Sequence, residues 1–515
     1  MEATPVTTLA ISIAAAAVVA LLPEAIATPR ASLRRSPVSF ALHVTAIGFL
    51  CACMLLITGR VKFSAFVAVA LVALLAGVSN AKYASLKEPF VFTDLSLFSQ
   101  LFAHPRLYLP FLSLGTVVAI VVGIVVVVAG FMAETPLAHR PVGELLITAC
   151  ACLAAAYLFA SRLALKLNAV DDQKRHGFFA VFVAYLLNGM RRATARELRE
   201  ALAAGPFTSG IPQSTPDVIL IQSESFFDAR RLTESIDPAI LSQFDIARRE
   251  SIQYGELAVP AWGANTMRTE FAVLSGIDQT QLGYARFYPY VFVRRACASL
   301  ASWFKHAGYK TLVIHPYYAD FFGRKRAFKH LQIDRFVDIA AFADAPRAGP
   351  YVSDLAVADW IVKALDEPRD KPAFIFSMTM ENHGPLHLES VEAGEGAAFH
   401  SLGDDARWRD LTAYLRHLAN ADAMLGHLLK ALRARRRDTV LCFYGDHVPA
   451  LSHVYADLGC EPAHSDYFIW RNYGNASAIR KDLCAEQLGV ALVETLAPAK
   501  PRETPAHTLH PTTER

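Results

Sequence analysis

The 515-residue sequence has no CxxC pair, no block of like charge and almost no net charge, +3 from 50 basic and 47 acidic residues. Without a basic excess it does not read as a nucleic-acid protein, which would need to neutralise many phosphates. Its eight cysteines form no disulfide framework. Cys51, Cys53, Cys150 and Cys152 sit inside apolar runs, and Cys297, Cys442, Cys460 and Cys484 are scattered. A Cys460–Cys484 bridge stays open beside the plainer reading of buried or free thiols. The stretch before the first apolar run lacks Lys and Arg, and more such runs follow, so no cleavable signal peptide is expected.

Apolar residues, by contrast, are abundant. They make up 53% of the chain and concentrate before residue 190. Runs at 8–27, 39–58, 63–80, 109–133 and 145–165 each approach the roughly 20 residues that cross a bilayer. The expectation is a transmembrane domain of about five helices over 1–168, an interfacial helix and linker over 169–215, a catalytic domain over 216–498 and a disordered Pro/Thr-rich tail over 499–515. The run at 176–190 falls short of a span and has basic flanks, so it is predicted to lie on the membrane surface. Arg30, Arg34 and Arg35 in the first loop, with Lys82, Lys87 and Arg106 in the third, outnumber Arg60, Lys62 and Arg140. That count places the first and third loops, and with five spans the C-terminal half, in the cytoplasm. The third loop, KEPFVFTDLSLFSQLFAHPRLYLPF, reads equally as a surface helix or as a platform near the lipid headgroups.

From Asp217 the pattern alternates strand, loop and helix, which predicts an α/β domain with a largely parallel sheet. DVILIQ leads into Ser223-Glu224-Ser225, TLVIH ends in His315, AFIFSMTM precedes Glu381-Asn382-His383, and TVLCFYG leads into Asp446-His447. A core strand gains nothing from a terminal His or Glu. In a parallel sheet all four ends share one edge, where open α/β sheets bind their ligands, so a mononuclear oxygen/nitrogen metal site is expected there. The stripe of Leu411, Tyr414, Leu415, Leu418, Met424, Leu425, Leu428 and Leu429 needs only packing on that sheet. Between the first two strands, Gly263–Thr266 reads as a turn into a helix. Thr266 there fits two roles: a hydroxyl that meets a metal while backbone N–H groups receive a phosphate, or a helix cap completed by Thr269 or Glu270.

IQSESFFD, NTMRTEF, HPYYADFFGRKRAF, SMTMENHGP and YGDH, in this order behind about five spans, resemble the lipoteichoic acid synthase group. That group comprises membrane-anchored phosphoglycerol transferases of the alkaline phosphatase/sulfatase superfamily. The resemblance implies a multi-pass α-helical membrane domain followed by a sulfatase-like α/β catalytic domain with a mainly parallel sheet. It implies that Glu224, Thr266, Asp446 and His447 bind one divalent metal, Mn2+ in the first place with Mg2+ or Zn2+ as alternatives, and that Thr266 is the nucleophile. His315, Arg324 and His383 would hold the phosphoglycerol group, with Phe322 where the family usually shows Trp. The donor would be phosphatidylglycerol and the acceptor a glycan or polymer, at a bacterial inner membrane with the catalytic domain facing the periplasm or exterior. That orientation is opposite to the Lys/Arg count. Asn265 replaces the family's Lys or Gly, and Met267-Arg268 its Ser-Asp; Arg268 either binds an acceptor group or faces solvent. A phosphodiesterase or sulfuric-ester hydrolase of the same fold is one alternative, although no Cys/Ser-x-Pro-x-Arg motif surrounds Thr266. A phosphoethanolamine transferase is another, although that group usually carries a cysteine-rich catalytic domain. A non-catalytic scaffold would not need the full Glu/Thr/Asp/His set.

Overall fold

The computed structural model describes residues 5–32, 34–96, 114–475 and 477–496. Among these, the helices Pro37–Thr58, Val61–Leu86 and Val142–Arg162 are long and apolar enough to cross a membrane. The other two predicted runs also form apolar helices, Pro5–Val19 and Leu114–Ala133. The expected tail lies outside the described residues, as does the third loop from residue 97 to 113. All eight cysteines are free, including Cys460 and Cys484.

One expectation is corrected. The short run at 176–190 forms the helix Phe178–Gly189, but it does not lie open on a membrane surface. Eleven of its twelve residues are buried. Phe182 stacks near Phe90, and Tyr185 packs against Tyr284 and Phe287 of the C-terminal half. The run is apolar on every face, and a helix of that kind is stable only when covered all round. It is the shared core of the joint between the two halves.

The C-terminal half is built on a nine-stranded sheet. In chain order its strands are β1 Asp217–Ser223, β2 Gln253–Ala258, β3 Lys310–Ile314, β4 Arg335–Val337, β7 Ala373–Met378, β8 Thr439–Gly445, β9 His464–Arg471, β10 Ile479–Arg480 and β11 Leu483–Cys484, while β5 Arg347–Ala348 and β6 Tyr351–Val352 form a separate hairpin. The spatial order is β10-β2-β9-β8-β1-β7-β3-β4, with β11 pairing β2. The central strands β8, β1, β7 and β3 run parallel, as expected. The antiparallel β9, between β8 and β2, was not read from the sequence.

Every residue of β1, β7 and β8 is buried, the signature of a parallel sheet covered on both faces. Alternate side chains serve opposite cores. Ile219, Ile221, Leu441 and Phe443 meet the helix Arg409–Arg433, whose predicted stripe is buried from Leu411 to Leu429. Val218, Leu220, Val440 and Cys442 join a second cluster that continues through Tyr185 and Phe178 to Leu42 and Val72 of the membrane half.

Gly445 ends β8 where the Phe226 carbonyl crosses it. A Cβ at 445 would sit 1.8 Å from that oxygen. Gly445→Ala must push the backbone after β1 away from β8, and overpacking of this kind costs about 3 kcal/mol. Chemical unfolding of the full chain should show that loss, together with weakened divalent-metal binding.

Candidate metal centre and active site

β1 and β8 are neighbours with Ser223 opposite Gly445. The next residues on each strand, Glu224 and Asp446, therefore leave the sheet at one level, with His447 beside them. One ligand atom from each of Glu224, Asp446 and His447 lies within 4.8 Å of the others, and all three residues are buried. His447 Nε2 is 3.4 Å from Asp446 Oδ2 and 3.6 Å from Glu224 Oε1. The ring is turned that way because its Nδ1 donates to the Val448 carbonyl at 3.0 Å, the second contact that usually orients a metal-binding imidazole. Asp446 Oδ1 accepts the Ser225 and His447 backbone N–H groups at 2.8 and 2.9 Å. Its Oδ2 is buried and has no partner. Burial and the Asp446 carboxylate together push the Glu224 carboxyl well above the ordinary range. Two carboxylates crowded around an unused oxygen and an outward imidazole lone pair fit a divalent cation of the Mn2+, Mg2+ or Zn2+ kind.

Thr266 opens the helix Thr266–Ser275, and its Oγ1 lies 3.4 Å from His447 Nε2. The capping role is not realised. Asn265 is the N-cap and makes no side-chain cap bond, Thr269 Oγ1 donates to the Asp446 carbonyl at 2.7 Å, and Glu270 pairs elsewhere. That Thr269 bond ties the start of the helix to the end of β8.

Arg324, which lines the same cavity as Thr266, is fully buried. Its Nε and Nη2 donate to the Glu270 carboxylate at 2.9 to 3.1 Å, and Tyr290 Oη donates to the same carboxylate at 2.5 Å. Arg324 Nη1 is 3.2 Å from His315 Nε2. Since the guanidinium can only donate, His315 accepts there and is neutral, and burial with the Arg324 charge holds its pKa well below the usual imidazole value. His383 Nδ1 donates to the Gly384 carbonyl at 2.7 Å, which leaves Nε2 available, and burial lowers its pKa too. Glu224, Thr266, His315, Phe322, Arg324 and His383 all line one cavity of about 10 Å3. Phe322 brings its ring within 5.1 Å of the Arg324 guanidinium carbon.

Among the described residues, three of the six non-glycine residues with positive φ flank this site: Ser225 (54°), Asn265 (64°) and Phe322 (56°). Each lies one or two residues from Glu224, Thr266 or Arg324. Such backbone costs energy that ordinary loops avoid, and it concentrates where side chains must be aimed.

The sulfatase family model matches residues 216–492. The chain belongs to the sulfatase family. It is 32% identical over 420 residues to the capsular polysaccharide biosynthesis protein RkpI of Rhizobium meliloti, covering 76% of this chain and 74% of that one. It is 28% identical over 294 residues to a putative cyclic beta-1,2-glucan modification protein of the same organism, covering 56% of this chain and 45% of the relative. Among solved structures, the integral membrane lipooligosaccharide phosphoethanolamine transferase A (EptA) of Neisseria meningitidis superposes over 95% of each chain with a TM-score of 0.56 at 13% identity. The whole arrangement of apolar helices followed by a sulfatase-like domain is therefore a shared fold.

Within this sulfatase-family chain, two residues flagged by the sequence lie elsewhere than expected. Glu381 does not reach the metal cluster. It turns to His417 Nδ1 at 3.0 Å and to the Asp354 backbone N–H at 2.7 Å. Arg268 neither faces solvent nor stands ready for an acceptor. It grips Glu88 through two bonds of 2.9 and 3.0 Å, and Asn265 Nδ2 reaches the same carboxylate at 3.3 Å. Glu88 also holds Lys82 at 3.1 Å. Glu88, in the described part of the third loop, thus clamps Asn265 and Arg268, one residue before and two after Thr266. Glu88 was not singled out from the sequence, and Glu270 was named there only as a possible capping residue; the charged Arg268, two residues after the nucleophile candidate, was the signal that a partner carboxylate must exist.

Burial alone would raise the Glu88 pKa, but the Arg268 and Lys82 charges win and bring it down to about 2. The stabilisation this pairing gives is whole above the ordinary value of 4.5 and is lost as pH falls toward about 2. Glu88→Gln leaves Arg268 buried without its counter-charge, a loss of about 3 kcal/mol. Thermal unfolding should show it, with turnover falling as the Asn265–Thr266 turn loosens. The exchange Glu88→Arg with Arg268→Glu should recover part of both.

Proposed function

We propose that this chain is a metal-dependent, membrane-anchored transferase that moves phosphoglycerol from phosphatidylglycerol through a phosphothreonine at Thr266 to a cell-surface or periplasmic glycan. The observation that carries this reading is that Thr266 Oγ1 lies 3.4 Å from His447 Nε2 of the Glu224/Asp446/His447 cluster and that Thr266 lines one cavity with Glu224, Arg324 and His383. The glycan acceptor is supported by the capsular polysaccharide and glucan-modification relatives.

Glu224, Asp446, His447 and Thr266 would hold the cation, which when bound supplies the positive charge that makes a threonine hydroxyl acidic enough to act as a nucleophile. Thr266 Oγ1 attacks the phosphorus of the lipid headgroup as the bond from phosphorus to the diacylglycerol oxygen breaks; that oxygen takes up the proton the hydroxyl gave up, and diacylglycerol stays in the bilayer. Arg324, immobilised by Glu270, offsets the charge that builds on the equatorial oxygens. His315 acts as a positioning residue, because its Nε2 is spent on Arg324. His383 keeps Nε2 free and neutral, so it takes the proton from the acceptor hydroxyl as that oxygen displaces Thr266 from phosphorus. A lipid donor on the outer leaflet requires the catalytic half to face the periplasm.

Thr266→Ala should lower turnover at least about 1000-fold while leaving the unfolding transition in place. Purified protein given phosphatidylglycerol labelled in its glycerol headgroup should yield metal-dependent diacylglycerol and label on Thr266. Label released only as free glycerol phosphate, even with glycans present, would mark a hydrolase, and labelling from phosphatidylethanolamine alone would mark a phosphoethanolamine transferase. A C-terminal fusion to a reporter active only in the cytoplasm should be silent; a signal sinks the periplasmic orientation.

A further inference from the structure

A second, wider space lies away from the metal cluster. A groove of about 840 Å3 runs between the helix Arg192–Ala203 and residues 291–298. Its floor is apolar: Leu198, Leu202, Phe292 and Val293 are buried there. Its polar rim is of one sign, since Arg191, Arg192, Arg199, Arg294 and Arg295 line it and no carboxylate does. Among the described residues none of these five arginines forms an ion pair. Arginines elsewhere on the surface find carboxylates, as Arg433 does with Glu250 and Arg335 with Glu367. A set of unneutralised guanidinium groups around an apolar floor is complementary to a ligand with an anionic head and an apolar body.

The place of the groove narrows that ligand further. Arg191 donates to the Tyr157 carbonyl at 3.2 Å and lies 5.9 Å over its ring. Tyr157 stands near the end of the membrane-length helix Val142–Arg162, where tyrosines settle at headgroup depth. The opposite wall belongs to the segment that carries Tyr290, whose hydroxyl holds the Glu270 that fixes Arg324.

We propose that this groove binds an anionic phospholipid of the bilayer, with an acyl chain along Leu198, Leu202 and Phe292 and its phosphate among the arginines. Inorganic phosphate would leave the floor unfilled, and a choline headgroup would set a cation against the rim. What the lipid is used for rests on the donor reading above; that it binds does not.

The test uses the full chain in detergent with phosphatidylglycerol and phosphatidylcholine that carry the same photoactivatable acyl chain, and adducts mapped by mass spectrometry. Phosphatidylglycerol should label residues 189–203 and 291–298, and phosphatidylcholine at least about tenfold less. The variant R192Q/R199Q/R295Q should lose labelling by about tenfold, with its unfolding midpoint measured as the control for folding. Should that variant unfold, Ala195→Trp, which fills the groove from the helix side, decides by the same loss. Excess inorganic phosphate should leave labelling unchanged, and Thr266→Ala should label as the wild type does. Equal labelling by both lipids, competition by phosphate, or adducts confined to other regions would each overturn the proposal. Intact labelling with no turnover of the headgroup-labelled donor overturns the donor reading alone.

Discussion

Glu224 and Asp446 are buried side by side, and burial together with the neighbouring carboxylate makes a charged Glu224 costly unless a cation offsets it. The register of β1 on β8 imposes this, since it sets Ser223 against Gly445 and makes the two strands end together. Gly445 is required for that approach, because the Phe226 carbonyl fills the place of any side chain. His447 stands as a third candidate ligand at the same strand end, and the backbone N–H groups of Ser225 and His447 hold one Asp446 oxygen while the other accepts no hydrogen bond.

A second pairing fixes the other side of the site. Arg324 would be a costly residue to bury alone, and Glu270 offsets it from the helix that Thr266 begins. The nucleophile candidate and the anchor of the Arg324 guanidinium thus share one rigid element of ten residues. The left-handed residues Asn265 and Phe322 act at its approach and at that of Arg324, where they turn the chain so that both side chains meet across one small cavity.

The membrane half is more than a tether. Glu88, just past the helix Val61–Leu86, reaches the residues on both sides of Thr266, and the buried helix Phe178–Gly189 joins the apolar cores of the two halves. Tyr185 and Phe287, in contact, carry that core to the segment that continues into Tyr290. A change in the membrane half has a short physical route to the metal cluster by way of Arg268 and Asn265.

Much of this was legible from residue order. The strands β1, β3, β7 and β8 were visible as apolar runs, and their polar ends marked one sheet edge because parallel strands must finish together. The stripe from Leu411 to Leu429 announced its helix by spacing alone. Glu224, His315, His383, Asp446 and His447 stood out at strand ends and Thr266 at a helix start, whereas Arg324 came only with the family resemblance. What sequence could not decide was which way ionisable side chains turn once a strand ends. Glu381 and His383 lie two residues apart, yet one leaves for His417 and the other lines the cavity. Nor could the partners of Arg268 and Arg324 be read, since Glu88 is 180 residues from one and Glu270 is 54 from the other. Local pattern determines elements and their ends; long-range charge pairing is decided only when packing removes water and each buried charge must take the counter-charge that the fold brings near.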